Sequence, residues 1–376
     1  MSYQYLSYSV LRQFCVDVFQ RFGFTESEAY IIQDVLLSSD LSGIESHGIQ
    51  RMVRYHKGIE KGMIDVHAKR EIVFETPISA VFDAHNGMGQ LAGYYAMELA
   101  IQKAKANGVS IVTVRNSNHF GIAGYYAKMA CNQGLIGLCC TNSTAIMVPT
   151  YGRVAMLGSN PIACAFPAEP NDFLFDSSTT VVTRGKLEVY DKMQIPLLEG
   201  WALDKDGHPS TDASDVLANI AGKNGGGIMP VGGNKEELGS HKGYGFAMLC
   251  EIFSSILSLG CTSDECNINN KGGICHGFMV INPALFGDAE QIKQHLSSYL
   301  CKIRNSPKAE GQTRIYTHGE KELEAIARAK AHGIPVQDNT IMELSNLCDY
   351  LDLDFTEYFG EQFLNFKDSG YTSQYS

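Results

Sequence analysis

The spacing of apolar side chains changes twice along the chain, and this change limits the folds that the chain can adopt. From residue 7 to 62 the apolar residues recur at helical spacing, as in SYSVLRQFCVDVFQRFG. From about residue 71 to 281, amphipathic helical segments alternate with β-branched segments such as VSIVTVRNS. From residue 286 the pattern is helical again. The sequence therefore predicts helices at both ends and a mixed α/β region between them.

The two helical ends are expected to pack together, so that a discontinuous helical domain is built from both termini with an α/β domain inserted in it. We assign residues 1–75 and 286–354 to the helical domain and residues 76–285 to the α/β domain. Residues 355–376 lack a clear periodicity and are expected to form an irregular tail.

The segment SHGIQRMVRY is predicted to begin the third helix of the first helical part. Residues four apart lie on one face of a helix. His47, Arg51 and Tyr55 are therefore expected to share a stripe, flanked by Ser46 and Arg54. The stripe offers an imidazole, a guanidinium group and a phenol, although a solvated polar face is the alternative interpretation.

Composition restricts the classes of function. The chain has 376 residues, 44% hydrophobic and 19% charged, and a net charge of −11, which argues against nucleic acid as the main partner. The longest apolar stretch, GFAMLCEIFSSILSLG, is too short and too polar to span a bilayer. The N-terminal residues lack a secretory pattern, so the eleven cysteines are expected to be reduced thiols of a cytoplasmic protein.

Two other patterns suggest binding sites, and both are interpreted as structural. GMGQLA fits the form G-x-G-x-x-A of a dinucleotide fingerprint, but a turn precedes it and the acidic residue expected after the next strand is missing. It is predicted to be a turn followed by a helix start. Cys261, Cys266, Cys275 and His276 have a spacing that fits no common zinc motif, so no metal site is predicted.

Three further segments group polar residues beside strands or helices. RNSNHFGIAGYYA follows a strand and precedes a helix whose first amides suit a phosphate or carboxylate. In FLFDSSTT, Asp176 ends an apolar strand and four hydroxyl residues follow it. GSHKGYG combines Lys242 with glycines that allow the backbone to approach a ligand closely. A simple capping loop is the alternative interpretation of the first two segments.

Taken together, SHGIQRMVRY, RNSNHFGIAGYYA, GSNPIACAFP, FDSSTT and SHKGYGFAML resemble the malate/L-lactate dehydrogenase family of the second type, in this order and at similar separations. That family also includes ureidoglycolate, sulfolactate and diketogulonate dehydrogenases or reductases, and an imine reductase for cyclic amino acids. The resemblance covers residues 5–352. It implies a non-Rossmann α/β domain, a homodimer that binds its cofactor near the subunit interface, and NAD as cofactor, with NADP left open.

The resemblance also implies roles for individual residues. His47 is expected to exchange a proton with the substrate oxygen, supported by Ser46 and Asp176, and His119 is the alternative for the same role. Arg51 and Tyr55 are expected to bind the substrate, because a guanidinium group can grip a carboxylate with two hydrogen bonds. Cofactor contacts are expected from Asn118, His119, Phe120, Gly121, Thr141, Ser143, Asp176, Ser177, Ser178, Thr179, Lys242, Gly243, Gly319 and Glu320.

The sequence therefore predicts a nicotinamide-dependent dehydrogenase of a small 2-hydroxy acid of the malate or lactate type. Two alternatives stay open. One is a reductase of a related carboxylate, such as ureidoglycolate, a diketo sugar acid or a cyclic imine acid, and the other is a cofactor-binding homologue without activity. Two departures from the family pattern are the long glycine-rich loop GGGIMPVGGNKEEL before Lys242 and the extra tail after residue 352.

Overall fold

The structure is a computed structural model that describes residues 3–268, 271–361 and 363. Its α-helices are α1 Tyr8–Arg21, α2 Glu26–Leu41, α3 Met52–Glu60, α4 Gly89–Asn107, α5 Ala123–Cys131, α6 Arg184–Lys192, α7 Ala213–Gly222, α8 Ser240–Glu251, α9 Ala289–Asn305, α10 Glu320–His332, α11 Asp338–Leu351 and α12 Phe355–Phe359. Its strands are β1 Tyr3–Leu6, β2 Glu71–Glu75, β3 Ser79–Asp83, β4 Val109–Ser117, β5 Ile136–Thr141, β6 Ile162–Phe166, β7 Phe173–Ser177, β8 Ala202–Leu203, β9 Pro209–Ser210, β10 Gly227–Ile228, β11 Ile274–Ile281 and β12 Ile334–Gln337.

A mixed seven-stranded sheet lies at the centre, in the order β2-β3-β4-β11-β5-β6-β7. β3 and β4 are parallel and the other neighbouring pairs of this sheet are antiparallel. Phe278 and Val280 of β11 pack in the core formed with α4 and α5. On the opposite face, Gly277 lies against the main chain of Phe253, in a π-helical turn that continues α8. The central strand β11 is thus covered on both faces.

The two ends of the chain meet. β1 pairs antiparallel with β12, with Tyr3 opposite Gln337, and buried side chains from residues 6–64 and 329–359 belong to one core cluster. Helices α1 and α2 follow the prediction, including the capping box between Thr25 and Glu28. The strands β1 and β12 were not predicted, because each has only four residues and neither shows clear alternation.

The third helix begins later than predicted. SHGIQR forms two 3₁₀ turns, Glu45–His47 and Ile49–Arg51, and the α-helix starts at Met52. Between the turns Gly48 is extended, and a Cβ there would lie 1.8 Å from Oδ1 of Asp40. The buried Asp40 carboxylate accepts a hydrogen bond of 2.7 Å from the amide of Ile49. The helical pattern is interrupted at this point, so the predicted stripe of His47, Arg51 and Tyr55 on one helical face is wrong.

Two other regions differ from the sequence interpretation. Helices α6 and α7 with strands β8, β9 and β10 form a small lobe around Leu187 and Val216, which was not predicted. The expected irregular tail begins with α12, where Phe359 packs edge-on to Phe14 with ring centroids 4.9 Å apart. The rest of that tail, residue 362 and residues 364–376, lies outside the described residues. In the described part of the chain, the helices are too short or too polar to cross a bilayer.

Candidate active site

Two histidines from different parts of the sequence face each other. His47 lies in the first 3₁₀ turn after α2, and His119 lies in the loop between β4 and α5. Their ring centroids are 5.3 Å apart. The hydroxyl of Tyr55, in the first turn of α3, lies 2.8 Å from Nδ1 of His119. These three residues, which were proposed from SHGIQRMVRY and RNSNHFG, thus come together, although they do not share one stripe of a helix.

Ser46 holds His47 in place. Its Oγ lies 2.9 Å from Nδ1 of His47, as expected for a supporting partner. The Nε of Arg51 donates a hydrogen bond to the main-chain oxygen of Ser46, so the Arg51 guanidinium lies beside the same turn and keeps its two terminal nitrogens for other partners. Arg54 follows three residues later, the spacing at which side chains of a helix are neighbours.

The electrostatics of the site favour neutral histidines and an anionic ligand. Burial, with the positive charges of Arg51 and Arg54, lowers the pKa of His47 to about 3. Burial and Arg54, with smaller effects of His47 and Arg51, lower the pKa of His119 well below its usual value. The Arg54 side chain remains in contact with solvent, yet the surrounding protein and Arg51 lower its pKa to about 10. An anion bound between the arginines would relieve this repulsion.

Asp176 contacts α5 and is not a hydrogen-bond partner of His47. Its Oδ2 accepts a hydrogen bond of 2.7 Å from the amide of Gly124, in the first turn of α5. Burial raises the pKa of Asp176 to about 6. The expectation that this carboxylate orients His47 is therefore corrected: β7 lies at the edge of the sheet, and its last residues face α5.

The loop around His119 is fixed by contacts within the protein. The Asn118 amide donates to the main-chain oxygens of Asn86 and Gly87, at 2.9 and 3.1 Å. The ring of Phe120 is stacked between Tyr126 and His276, at centroid distances of 4.7 and 4.2 Å. Gly121 has a φ of +87°, which favours glycine. Asn118, Phe120 and Gly121, proposed as cofactor contacts, thus use their side chains or backbone to hold His119.

A second buried polar cluster surrounds Glu251, the carboxylate within the apolar stretch GFAMLCEIFSSILSLG. Asn160, Ser263 and Ser255 donate to its carboxylate from 2.7 to 3.0 Å, and Asn142 donates at 3.2 Å. The signal for this site was a lone carboxylate in an otherwise apolar segment. The proposed cofactor residues Thr141, Ser143 and Thr179 hydrogen-bond within this region.

The remaining cofactor candidates differ in whether their polar groups already have partners within the protein. The hydroxyls of Ser177 and Ser178 bond to nearby main-chain oxygens in the turn after β7. Lys242 is exposed in the first turn of α8, and among the described residues no carboxylate lies within ion-pairing distance. A Cβ on Gly243 would lie 2.3 Å from the oxygen of Val231, so this glycine permits close packing.

Gly319 and Glu320 serve the start of α10. Gly319 has a φ of +98° and precedes the helix. The Glu320 carboxylate accepts from the amide of Thr317 at 2.6 Å and pairs with Arg314 at 3.0 Å. With both partners present, Glu320 has little capacity left for a ligand. The segment lies beside the first residues of β7, where the amide of Leu174 donates to the oxygen of His318.

Known proteins resemble the chain along most of its length. Residues 6–345 match the family model described as malate/L-lactate dehydrogenase. Malate dehydrogenase of Pyrococcus abyssi is 43% identical, over 90% of this chain and 92% of the relative. L-sulfolactate dehydrogenase of Methanocaldococcus jannaschii is 37% identical, over 92% and 97%. The crystal structure of malate dehydrogenase from Entamoeba histolytica superposes with a TM-score of 0.90 and 35% identity, covering 94% of this chain and 99% of that one.

The mixed sheet, the paired histidines beside two arginines and these similarities define an oxidoreductase of the hydroxy acid dehydrogenase class. The chain belongs to the malate/L-lactate dehydrogenase family. The resemblance stated from the sequence is thereby confirmed.

Proposed function

We propose that the protein interconverts a small 2-hydroxy acid and its 2-oxo acid with a nicotinamide cofactor. The observation that supports this most directly is the His47–His119 pair, which lies beside Arg51 and Arg54. A neutral imidazole can take the proton of a hydroxyl group, and a guanidinium group can hold the neighbouring carboxylate.

His119 is the better candidate for the proton acceptor. Its Nδ1 is held by Tyr55, a buried side chain from another element, which leaves Nε2 for proton exchange. The partner of His47 is its sequence neighbour Ser46, which is only half-buried. A fixed partner on one nitrogen orients the ring, as in other acid–base sites. His47 then contributes to the binding of the substrate oxygen, and it remains the alternative proton acceptor.

Arg51 and Arg54 support a substrate with two anionic groups. Neither guanidinium group forms a salt bridge with a described carboxylate, although the Arg184–Glu188 pair lies near enough to affect Arg54, so together they can provide charge for more than one acid group. Malate carries two carboxylates, and sulfolactate carries a carboxylate and a sulfonate, and both names belong to relatives of this chain. We propose a doubly charged 2-hydroxy acid as the preferred substrate, with a monocarboxylate of the lactate type as the alternative.

The residues near α8 fit a dinucleotide. The exposed ammonium of Lys242 suits a phosphate group, and the oxygens of Ser177 and Ser178, whose protons are donated within the protein, can accept hydrogen bonds from ribose hydroxyls. We propose NAD, with NADP as the alternative, in a non-Rossmann α/β domain. The expected domain of residues 76–285 begins too late, because β2, Glu71–Glu75, belongs to the same sheet. The helical domain at the two ends of the chain would supply the His47 turn, and the protein is proposed to act in the cytoplasm.

The reaction divides between the cofactor and the protein. The nicotinamide supplies the hydride acceptor for oxidation and the hydride donor for reduction. During oxidation, His119 takes the hydroxyl proton through Nε2 as the carbon–oxygen double bond forms and the C2 hydrogen leaves with its electron pair. Arg51 holds the C1 carboxylate so that this hydroxyl stays near His119. The products are the 2-oxo acid, the reduced cofactor and one proton on the imidazole.

Absorbance at 340 nm tests the proposal. Oxaloacetate, 3-sulfopyruvate, pyruvate and a cyclic imine carboxylate are assayed with NADH and with NADPH. Turnover of the first two with NADH supports the proposal. Turnover of the cyclic imine acid alone would assign the chain to the related reductases, and NADH binding without turnover of any substrate would indicate an inactive homologue.

An exposed apolar stripe on α8 and on the π-helical turn that continues it supports a homodimer. Phe246, Leu249, Ile252 and Ile256 recur every three or four residues and are 38 to 52% exposed. Such an apolar stripe on a helix is typical of a surface that packs against another helix. We propose that a second copy covers it, near Lys242. Analytical ultracentrifugation of wild type and Phe246→Asp is expected to give a dimer and a monomer, whereas a monomeric wild type would contradict the proposal.

A further inference from the structure

The imidazole of His276 is held at both of its nitrogens inside the central sheet. His276 lies in β11 and is fully buried. Its Nε2 lies 2.9 Å from the hydroxyl of Ser117, at the end of β4, and its Nδ1 lies 2.8 Å from the hydroxyl of Thr141, at the end of β5. Both strands are direct neighbours of β11. A buried ring with both nitrogens bonded has no nitrogen left for a substrate, so any contribution of His276 to the reaction must pass through other residues.

The Thr141 hydroxyl determines the direction of these two hydrogen bonds. It also lies 2.8 Å from the main-chain oxygen of Cys275, which can only accept. A hydroxyl carries one proton, so Thr141 donates to this carbonyl and accepts from Nδ1–H of His276, and Nε2 accepts from the Ser117 hydroxyl. Both bonds lie in the plane of the imidazole, and together they prevent the rotation that a buried ring otherwise retains about its terminal torsion.

The fixed imidazole supports Phe120, the residue that follows His119. The rings of His276 and Phe120 are parallel within 4°, with their centroids 4.2 Å apart. Phe120 also stacks on Tyr126, with centroids 4.7 Å apart, and the Tyr126 hydroxyl donates to the main-chain oxygen of Phe120 at 2.5 Å. Only 2% of Phe120 is exposed. The loop residue next to His119 is therefore held through its ring and its main chain, and His276 connects it to the sheet.

Stacking alone does not require a histidine at this position, because an apolar ring would stack without burying two polar nitrogens. The histidine adds a ring plane that is fixed by the neighbouring strands. We propose that His276 is a positioning residue, which sets the plane of the Phe120 ring and thereby places His119 for proton exchange with the substrate. The inference rests on the proposed function for its catalytic consequence, whereas the placement of the loop is a property of the free enzyme.

Two variants that differ only in a flat ring test the placement of the loop without any substrate. Both carry Ser117→Ala, so that no hydroxyl is buried without its partner, and Thr141 keeps the carbonyl of Cys275. In this background His276→Phe restores a ring for stacking, and His276→Leu does not. Hydrogen exchange of residues 116–122, followed by mass spectrometry, is expected to be at least tenfold faster in the Leu variant. Equal exchange in the two variants would overturn the inference, whatever the enzyme's substrate is.

Ser117→Ala alone is the mildest change, since it removes one hydrogen bond of the imidazole and keeps the ring. It is expected to speed exchange of residues 116–122 and to lower kcat, each by three- to tenfold, because the ring plane is then held at one nitrogen only. Wild-type exchange and kcat in this variant would overturn the role of the fixed plane. This measurement stands even if the His276 variants do not fold.

Kinetics test the catalytic consequence. The His276→Phe variant is expected to keep kcat within threefold of its Ser117→Ala background. In His276→Leu kcat should fall a further ten- to a hundredfold, since a displacement of about 1 Å can cost roughly 100-fold in rate, while KM for NADH stays within threefold. Phe14→Leu removes a buried ring from the core of the two chain ends and is the control for lost packing. Equal kcat in the Phe and Leu variants, or an equal loss in the control, would show a merely structural role.

Discussion

The rings of His47 and His119 lie with their centroids 5.3 Å apart, and each has its Nδ1 held by a different hydroxyl. The pair is built from the turn before α3 and the loop after β4, so neither segment forms the site alone. Both rings are neutral near pH 7, because burial and the arginines lower their pKa values. Either imidazole is therefore a candidate acceptor for the substrate proton, and substitution of each histidine in turn distinguishes their roles.

His119→Ala is expected to lower kcat by roughly 10²- to 10⁴-fold, the usual contribution of general acid–base catalysis. His47→Ala is expected to act mainly on KM for the 2-oxo acid. NADH binding, followed by fluorescence, should change little in either variant. If His47→Ala loses kcat and His119→Ala keeps it, the roles are reversed and the sequence expectation for His47 is the correct one.

Arg51→Lys is expected to lower kcat/KM for oxaloacetate by one to two powers of ten. An ammonium group cannot reproduce the two parallel hydrogen bonds of a guanidinium group, and one charge-assisted hydrogen bond is worth about 1.5–3 kcal/mol. Arg12→Lys, in α1 over the ring of Tyr30, is the matched control and should keep wild-type kinetics.

Arg54→Gln is expected to reduce the preference for oxaloacetate over pyruvate, because the second anionic group loses its cation. The measurement is the ratio of kcat/KM for the two acids in wild type and variant. An unchanged ratio would mean that Arg54 does not bind the distal acid group, and selectivity for a doubly charged substrate would then need another source.

Lys242→Ala is expected to raise KM for NADH at least tenfold and to leave kcat at saturating NADH within threefold. The exposed ammonium lacks a carboxylate partner in the described part of the chain, so a cofactor phosphate is its expected partner. Lys205→Ala is the control, because that exposed lysine pairs with Asp206. A lost kcat with an unchanged KM would place Lys242 in the chemical step instead.

Acid should destabilise the protein through its buried histidines. Burial lowers the pKa of His276 to about 3, against about 6.5 in the unfolded chain. Between these pH values the unfolded state binds a proton that the folded state does not. The titration of His276 therefore leaves the free energy of unfolding unchanged above about pH 6.5 and lowers it as the pH drops. From pH 7 to 5 the loss from His276 is about 2 kcal/mol. Urea unfolding at both pH values should show a smaller difference for His276→Gln, and equal differences would contradict this.

The sequence predicted much of the sheet and most of the helices, because their apolar spacing is local information. It did not predict the break at Gly48, since that break depends on a side chain outside the segment, the Asp40 carboxylate at the end of α2, which accepts from the amide of Ile49. The small lobe around Leu187 was missed for a different reason, because its strands have only two residues each.

For the candidate site, the motifs predicted His47, Tyr55 and His119, and the structure shows that these three residues lie close together. They did not reveal Glu251. A single glutamate in a helical segment carries no pattern of its own, and its importance follows only from burial and from the partners that the fold brings near it. Several expected cofactor residues, Asn118 and Phe120 among them, instead hold the loop of His119.

The ribbon of β1 and β12 has a consequence for the newly made protein. Gln337 of β12 donates to the Glu45 carboxylate at 3.2 Å, and Tyr3 of β1 donates to the same carboxylate at 3.3 Å. Glu45 immediately precedes Ser46 and His47. While the chain is still being translated, the His47 turn therefore lacks one of its supports until residues 334–337 have left the ribosome. The candidate active site thus gains this support only after a segment that lies far behind it in the sequence has been made.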